Sequence, residues 1–150
     1  MQTVLSFVLA LSVFFGCVSC EKENGPRPNS TAMTSNRLRI TIGFTAFNAT
    51  LADNPTATAF KALLPLTVNM TDLNGNEKYA ELSRRLPANA ANPGTIQNGD
   101  LMLYGSSTLV LFYKTFATSY AYTKLGRVND AVGLAAAVGS GNVSVLFELE

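Results

Sequence analysis

The sequence predicts a mainly β fold with two short helices: a closed or nearly closed eight-stranded barrel whose open ends the helices cover. Three observations lead there. About eight short segments alternate or run apolar between Gly, Asn and Pro turn signals. Only two segments carry helical spacing. Once an apolar leader is set aside, about 130 residues remain, enough for one domain to bury its own core without metal or crosslinks.

Residues 37–42 place Leu38, Ile40 and Ile42 on one face and Arg37, Arg39 and Thr41 on the other, a half-buried strand. Beyond Gly43, a short strand over 46–51 completes a hairpin. Asn54-Pro55 then starts a helix: Asn accepts from first-turn amides, and Pro leaves no amide unbonded at the first helical position. Ala57, Phe60 and Leu64 follow at helical spacing, and Pro65 ends the run. Leu66, Val68 and Met70 alternate with Thr67, Asn69 and Thr71, and Asn74-Gly75-Asn76 turns that strand into a partner over 79–82.

Residues 87–99 hold Pro87, Pro93, Gly94 and Gly99 among Ala and Asn, and read as a loop long enough to carry function. Strands follow at 101–104 and 109–113 around Gly105-Ser106-Ser107. The second is apolar throughout, as a strand buried on both faces is. After a connection over 115–123, residues 124–128 form another strand. Asn129 or Asp130 caps a helix in which Ala131, Leu134, Ala135 and Val138 fall at i, i+3, i+4 and i+7, with Gly139 as its stop. The last strand puts Val143, Val145, Phe147 and Leu149 on one side.

Eleven Lys and Arg against ten Asp and Glu, scattered without a run of either sign, leave a net charge of +1 and no electrostatic footprint for nucleic acid. Histidine is absent, and the two cysteines, Cys17 and Cys20, both sit at the end of the leader. The domain therefore needs no disulfide, and the usual zinc, copper and haem ligand sets cannot be assembled in it. No Asp-rich loop has calcium-binding spacing, so neither a metal nor a cofactor is expected.

Residues 4–18 are an uncharged apolar run, followed by Ser19, Cys20 and the polar Glu21-Lys22-Glu23-Asn24. About 15 residues fall short of the ~20 that span a bilayer as a helix. The pattern predicts a cleaved bacterial lipoprotein signal over 1–19 and a lipid on Cys20, a membrane anchor. Cys17 competes as acceptor, but bulky Phe14 and Phe15 stand just before it, where a cleavage site has small residues. Met1-Gln2-Thr3 carries no Lys or Arg, a departure from the usual signal. Glu-Lys-Glu resembles the export tag of bacterial surface lipoproteins, so the expected location is the cell envelope, at the outer membrane or cell surface. A plain secretory peptide that releases a soluble protein is the alternative. Residues 20–36, including Gly25-Pro26-Arg27-Pro28-Asn29-Ser30-Thr31, have no hydrophobic period and read as a flexible tether. The barrel domain is expected over 37–150.

The order of segments resembles the small bacterial cyclophilin-like domain family. The resemblance is carried by Arg39-Ile40-Thr41-Ile42-Gly43, Asp53-Asn54-Pro55-Thr56-Ala57, Leu63-Leu64-Pro65-Leu66, Gly99-Asp100-Leu101-Met102-Leu103-Tyr104, Leu109-Val110-Leu111-Phe112-Tyr113-Lys114, Leu125-Gly126-Arg127-Val128 and Val143-Ser144-Val145. It implies an eight-stranded barrel capped by two helices. It does not imply prolyl isomerase activity, which in cyclophilins uses an arginine above a floor of Phe, Met, Gln, Trp and His. This chain has no Trp and no His. Ser83-Arg84-Arg85-Leu86 stands where cyclophilins have Phe-His-Arg, and a Gln-Gly-Gly-Asp segment is missing.

By position, Arg85 or its neighbour Arg84 corresponds to the catalytic arginine, and Phe112 to a core or pocket phenyl ring. An adjacent Arg pair is more often solvated, and Phe112 in an apolar strand is more often core. Tyr104 and Tyr113 are ligand-binding candidates beside the 87–99 loop, and Lys114, Lys124, Arg127, Tyr120 and Tyr122 could form a patch. Asp100 is expected to bond turn amides rather than act as an acid. No Ser sits in Gly-x-Ser-x-Gly or has a His partner.

The leading expectation is a non-enzymatic module that binds a peptide or small ligand. A weak peptidyl-prolyl isomerase for exported proteins and a purely structural envelope component are the alternatives. The oligomeric state is left open.

Overall fold

The computed structural model describes residues 35–150. The leader, Cys17, Cys20 and all of the tether before Ser35 lie outside the described residues. Ten strands and two helices follow in order: β1 (Arg37–Ile42), β2 (Thr45–Leu51), α1 (Pro55–Lys61), β3 (Leu66–Leu73), β4 (Glu77–Glu81), β5 (Thr95–Ile96), β6 (Asp100–Tyr104), β7 (Thr108–Phe112), β8 (Phe116–Ala117), β9 (Thr123–Val128), α2 (Leu134–Val138) and β10 (Val143–Leu149). Eight of the strands close a barrel in the order β1-β10-β3-β4-β7-β6-β9-β2, with every pairing antiparallel.

The inward faces are the apolar sides of the alternating strands: Leu38, Ile40 and Ile42 from β1, Phe47, Ala49 and Leu51 from β2, and Val145 and Phe147 from β10 are all buried. A strand's side chains point to its two faces in turn, so the pattern along the chain sets which side is the core. The period fails once. In β9, Leu125 has no partner opposite it, because Leu101 pairs with Gly126 and Met102 with Lys124. This bulge lets Leu125 and Val128, three residues apart, both reach the core.

Helix α1 begins as its residues dictate. Asn54 Oδ1 accepts from the Ala57 amide at 2.8 Å, its Nδ2 donates to the Lys124 carbonyl at 2.8 Å, and Pro55 opens the first turn. Phe60, fully buried, meets Phe147 edge-on at 5.9 Å between ring centroids and closes that end of the barrel. Helix α2 is shorter than its hydrophobic spacing suggests. It starts at Leu134 behind Gly133, which makes no side-chain cap bond. Asn129 and Asp130 are used elsewhere: Thr50 Oγ1 donates to Asn129 Oδ1 at 2.8 Å, and Asp130 Oδ1 accepts from the Val132 amide at 2.9 Å, making a turn before the helix. Leu134 and Val138 still reach the core, and Gly139 ends the helix as expected.

The stretches read as a loop and a connection pair with each other. Strands β5 and β8 form a separate two-stranded sheet, Thr95 opposite Ala117 and Ile96 opposite Phe116, and Ala91 bridges to Tyr122. This flap lies on the outer wall of the barrel. There Ile96, Phe116 and Tyr122 pack on Met102, Val110 and Phe112 as a second apolar cluster. β7 is consequently buried on both faces, Leu109 and Leu111 toward the barrel core and Val110 and Phe112 toward the flap. Asn36, at the end of the expected tether, is joined to the barrel: its carbonyl accepts from the Leu51 amide at 2.8 Å and its Oδ1 from Lys61 Nζ.

Candidate functional site

Beside the flap, the outer faces of β4, β6 and β7 and the 116–122 segment enclose a cleft of about 550 Å³. Its geometry follows from strand alternation. Tyr79 on β4 lies opposite Val110 on β7, and Thr108 opposite Tyr104 on β6, so all four project to the same side of the wall. Tyr122 and Tyr120 come from the returning segment. The Tyr104 ring meets Tyr122 at 5.6 Å and Tyr120 edge-on at 6.3 Å, while Tyr122 stands edge-on to Phe112 at 5.4 Å. Tyr104 and Tyr120 are 47% and 61% exposed, so aromatic faces are open to a ligand rather than spent on packing.

Asn76 and Glu77 are among the residues that line this cleft. Glu77 is only 8% exposed, and Asn76 Oδ1 is buried with no hydrogen-bond partner among the described residues. Burial pushes the Glu77 carboxyl above the ordinary carboxylate range, and the charge of Asp72 pushes it further. The Tyr122 hydroxyl is raised as well, first by burial and then by the charge of Glu77. Among the described residues, no Lys or Arg lines this cleft.

A second cleft of about 500 Å³ lies on the other side of Tyr122, between the start of α1 and the 87–97 segment, with Lys124 and Arg127 on its edge. Asp100, buried in its wall, accepts from the Gln97 amide at 2.8 Å, the turn bond expected of it, and has Arg127 Nε 3.8 Å away.

The residues singled out in the sequence are distributed as follows. Arg84 and Arg85 are exposed on the chain leaving β4, Arg85 Nε donates to Ser106 Oγ at 2.7 Å, and neither lines either cleft. Phe112 is fully buried beneath Tyr122 and Phe116, a floor rather than a contact surface. Tyr104 lines the aromatic cleft, whereas Tyr113 belongs to the barrel interior on the far side of the wall. Lys124 and Arg127 are separated from Tyr120 by the flap's return, and Tyr122 alone touches both clefts.

Tyr113 serves a cluster that joins buried Lys78 to partly exposed Asp72. Its hydroxyl donates to Asp72 Oδ2 at 2.6 Å, and burial followed by that bond pushes it up to about 12. Lys78, with no exposed surface, donates to the same Asp72 oxygen at 2.7 Å and to the carbonyls of Gly139 and Gly141 at 2.9 and 2.6 Å. All three ammonium protons are thus used, and the Tyr113 ring lies 5.5 Å from Nζ.

Glu77, Asn76 and Tyr79 were not among the sequence candidates. Placing β4 from Glu77 rather than from residue 79 puts Glu77, Tyr79 and Glu81 on the face opposite Lys78 and Ala80. A lysine at an inward position of an alternating strand was the available signal that the neighbouring carboxylate faces out.

The sequence model of the cyclophilin-like family matches residues 40–148. The chain belongs to the cyclophilin-like family. No curated protein matches this member. Among solved structures, it is similar to the solution structure of a hypothetical protein from Archaeoglobus fulgidus, at 19% identity and a TM-score of 0.53, over 77% of this chain and 95% of that one. That likeness concerns the fold alone.

Proposed function

We propose that this cyclophilin-like domain is a non-enzymatic binding module for a peptide or small ligand, held at the bacterial envelope by a lipid on Cys20. The observation that carries the binding reading is the aromatic cleft itself. Its volume is within the range of small-ligand sites, and its walls combine aromatic rings with polar side chains, Glu77 among them. Prolyl isomerisation needs a donor aimed at the prolyl amide to weaken its double-bond character. Arg85 is engaged by Ser106 and, among the described residues, no cation lines the cleft, which favours binding over catalysis.

The test is an NMR titration with small aromatic probes and proline-containing tetrapeptides, run beside an isomerisation assay on the same peptides. Tyr104→Ala is expected to weaken binding roughly tenfold without unfolding the barrel, because the ring is half exposed. No rate enhancement of isomerisation is expected. Enhancement that disappears in Arg84→Ala or Arg85→Ala would establish the isomerase reading instead.

The anchor rests on the sequence from residue 4 to residue 24. Mass spectrometry of the protein from bacterial membranes is expected to find an N-terminal diacylglyceryl-modified Cys20. A mature form that begins elsewhere and carries no lipid would remove the anchor from this reading and leave the cleft untouched.

A further inference from the structure

Six polar or charged side chains are buried among the described residues: Thr56, Lys61, Glu77, Lys78, Asp100 and Thr123. Five of them have partners. Thr56 donates to the Pro87 carbonyl, Lys61 to Asn36, and Lys78 to three acceptors, while Asp100 accepts from the Gln97 amide and Thr123 from the Asn89 amide. Glu77 has neither a hydrogen bond nor an ion pair among the described residues, and it lines the aromatic cleft. Its carboxylate oxygens are not sealed in the interior but open onto the cleft, where no protein donor answers them and a ligand can reach them.

The chemistry of that ligand can be read from what surrounds Glu77. Among the described residues the lining of the cleft holds one carboxylate, Glu77, and no Lys or Arg. An ammonium brings several donors and a positive charge, whereas a carboxylate or phosphate would be repelled by Glu77. The surrounding Tyr79, Tyr104 and Tyr120 rings supply faces that attract cations and an apolar bed for the remainder of a ligand. The same cation would counter the burial and the Asp72 charge that disfavour an ionised Glu77.

We propose that the aromatic cleft selects ligands bearing a cationic amine, with the ammonium bound by the Glu77 carboxylate and the apolar part of the ligand laid against Tyr79, Tyr104 and Tyr120. This rests on the binding reading above and adds the class of ligand to it.

Benzylamine, benzyl alcohol and benzoate share one ring and differ in the group presented to Glu77. In NMR titrations of the protein, benzylamine is expected to bind with shifts at Tyr79, Tyr104 and Tyr120, benzyl alcohol more weakly, and benzoate least. Glu77→Gln is expected to weaken benzylamine about tenfold, the loss of one charge-assisted hydrogen bond and its ion pair, and to weaken benzyl alcohol much less, since the glutamine oxygen still accepts from a hydroxyl. The same variant should melt at or above the temperature of the parent protein, since it removes a charge that no protein group pairs and that partial burial and Asp72 disfavour. Equal binding of amine and alcohol, indifferent to Glu77→Gln, would overturn the amine selectivity and leave the binding reading standing. No shift in the cleft with any of the three would overturn both. A lowered melting temperature in Glu77→Gln would make the carboxylate structural and overturn the assignment on its own.

Discussion

Replacing Lys78 with methionine is expected to destabilise the protein by about 3 kcal/mol and to lower its melting temperature by roughly 10 °C. Methionine matches the length and apolar stem of lysine, so the substitution isolates the ammonium. Without it, Asp72 loses its cation and the carbonyls of Gly139 and Gly141 lose their donor, at a point where the α2–β10 connection is pinned to the β3–β4 hairpin. Lys78 is fully buried while the Asp72 side chain is 23% exposed, so the cost falls mainly on the glycine carbonyls that lose their donor and on the buried site the ammonium vacates, and water reaches Asp72. Urea unfolding at neutral pH measures the loss, and a cost below about 1 kcal/mol would show that the cluster does not hold that end of the barrel shut.

Acid supplies an independent check on the same cluster. The bonds from Lys78 and then Tyr113 hold the Asp72 carboxyl at about 2, below its ordinary 3.8. A folded-state value below the unfolded one contributes stability above 3.8 that is lost as the pH falls toward 2. The stability gap between the parent protein and Lys78→Met should therefore narrow across that window. A constant gap would mean that Asp72 gains nothing from the lysine.

Gly126→Ala is expected to be at least as damaging, at about 3 kcal/mol or more, with loss of soluble protein as its extreme. Gly126 pairs with Leu51 where β9 meets β2, and a Cβ there would stand 2.5 Å from the Thr50 carbonyl oxygen and 3.0 Å from Leu51 Cα. Both obstacles are backbone, so no side chain can rotate away. Relief requires the strands to part, and this pairing spans three residue pairs of the barrel. Gly105→Ala is the control. Gly105 has a φ of +60° with nothing within 4 Å of its would-be Cβ, so alanine there should cost only about 1 kcal/mol of backbone strain. Thermal melts that rank the two variants equally would refute close approach as the reason for Gly126.

Much of the fold was legible because it depends on local chemistry. The β1–β2 hairpin follows from alternation and β7, as a doubly buried strand, from an unbroken apolar run, each within a residue of its expected bounds; α1 starts at the Asn-Pro signal but ends at Lys61, short of the expected Leu64, because the Leu63 and Leu64 amides bond three residues back, to Phe60 and Lys61, in a tighter turn before Pro65. The candidate site was less legible. Tyr104 was found because it ends a recognisable strand, but Tyr113 looked equivalent until the parity of β7 placed it on the other side of the wall. Arg84 and Arg85 drew notice by position in the family pattern, while the residues that give the cleft its character, Glu77 and Asn76, lie in a turn and strand start with no motif around them.

By itself the sequence determined the β class, the single barrel, most strand bounds, the family and the absence of histidine and thiol chemistry from the domain, because periodicity and composition are properties of neighbouring residues. Only the tertiary structure decided that β5 and β8 pair across some twenty residues, that a bulge at Leu125 shifts β9's inward face, and that Lys78 is satisfied while Glu77 is not. Two-residue strands carry no period to read, and whether a charge is paired depends on groups brought together from distant parts of the chain. The cleft belongs to this second kind: its rings and the Glu77 carboxylate become one surface only when the barrel closes and the flap folds onto it.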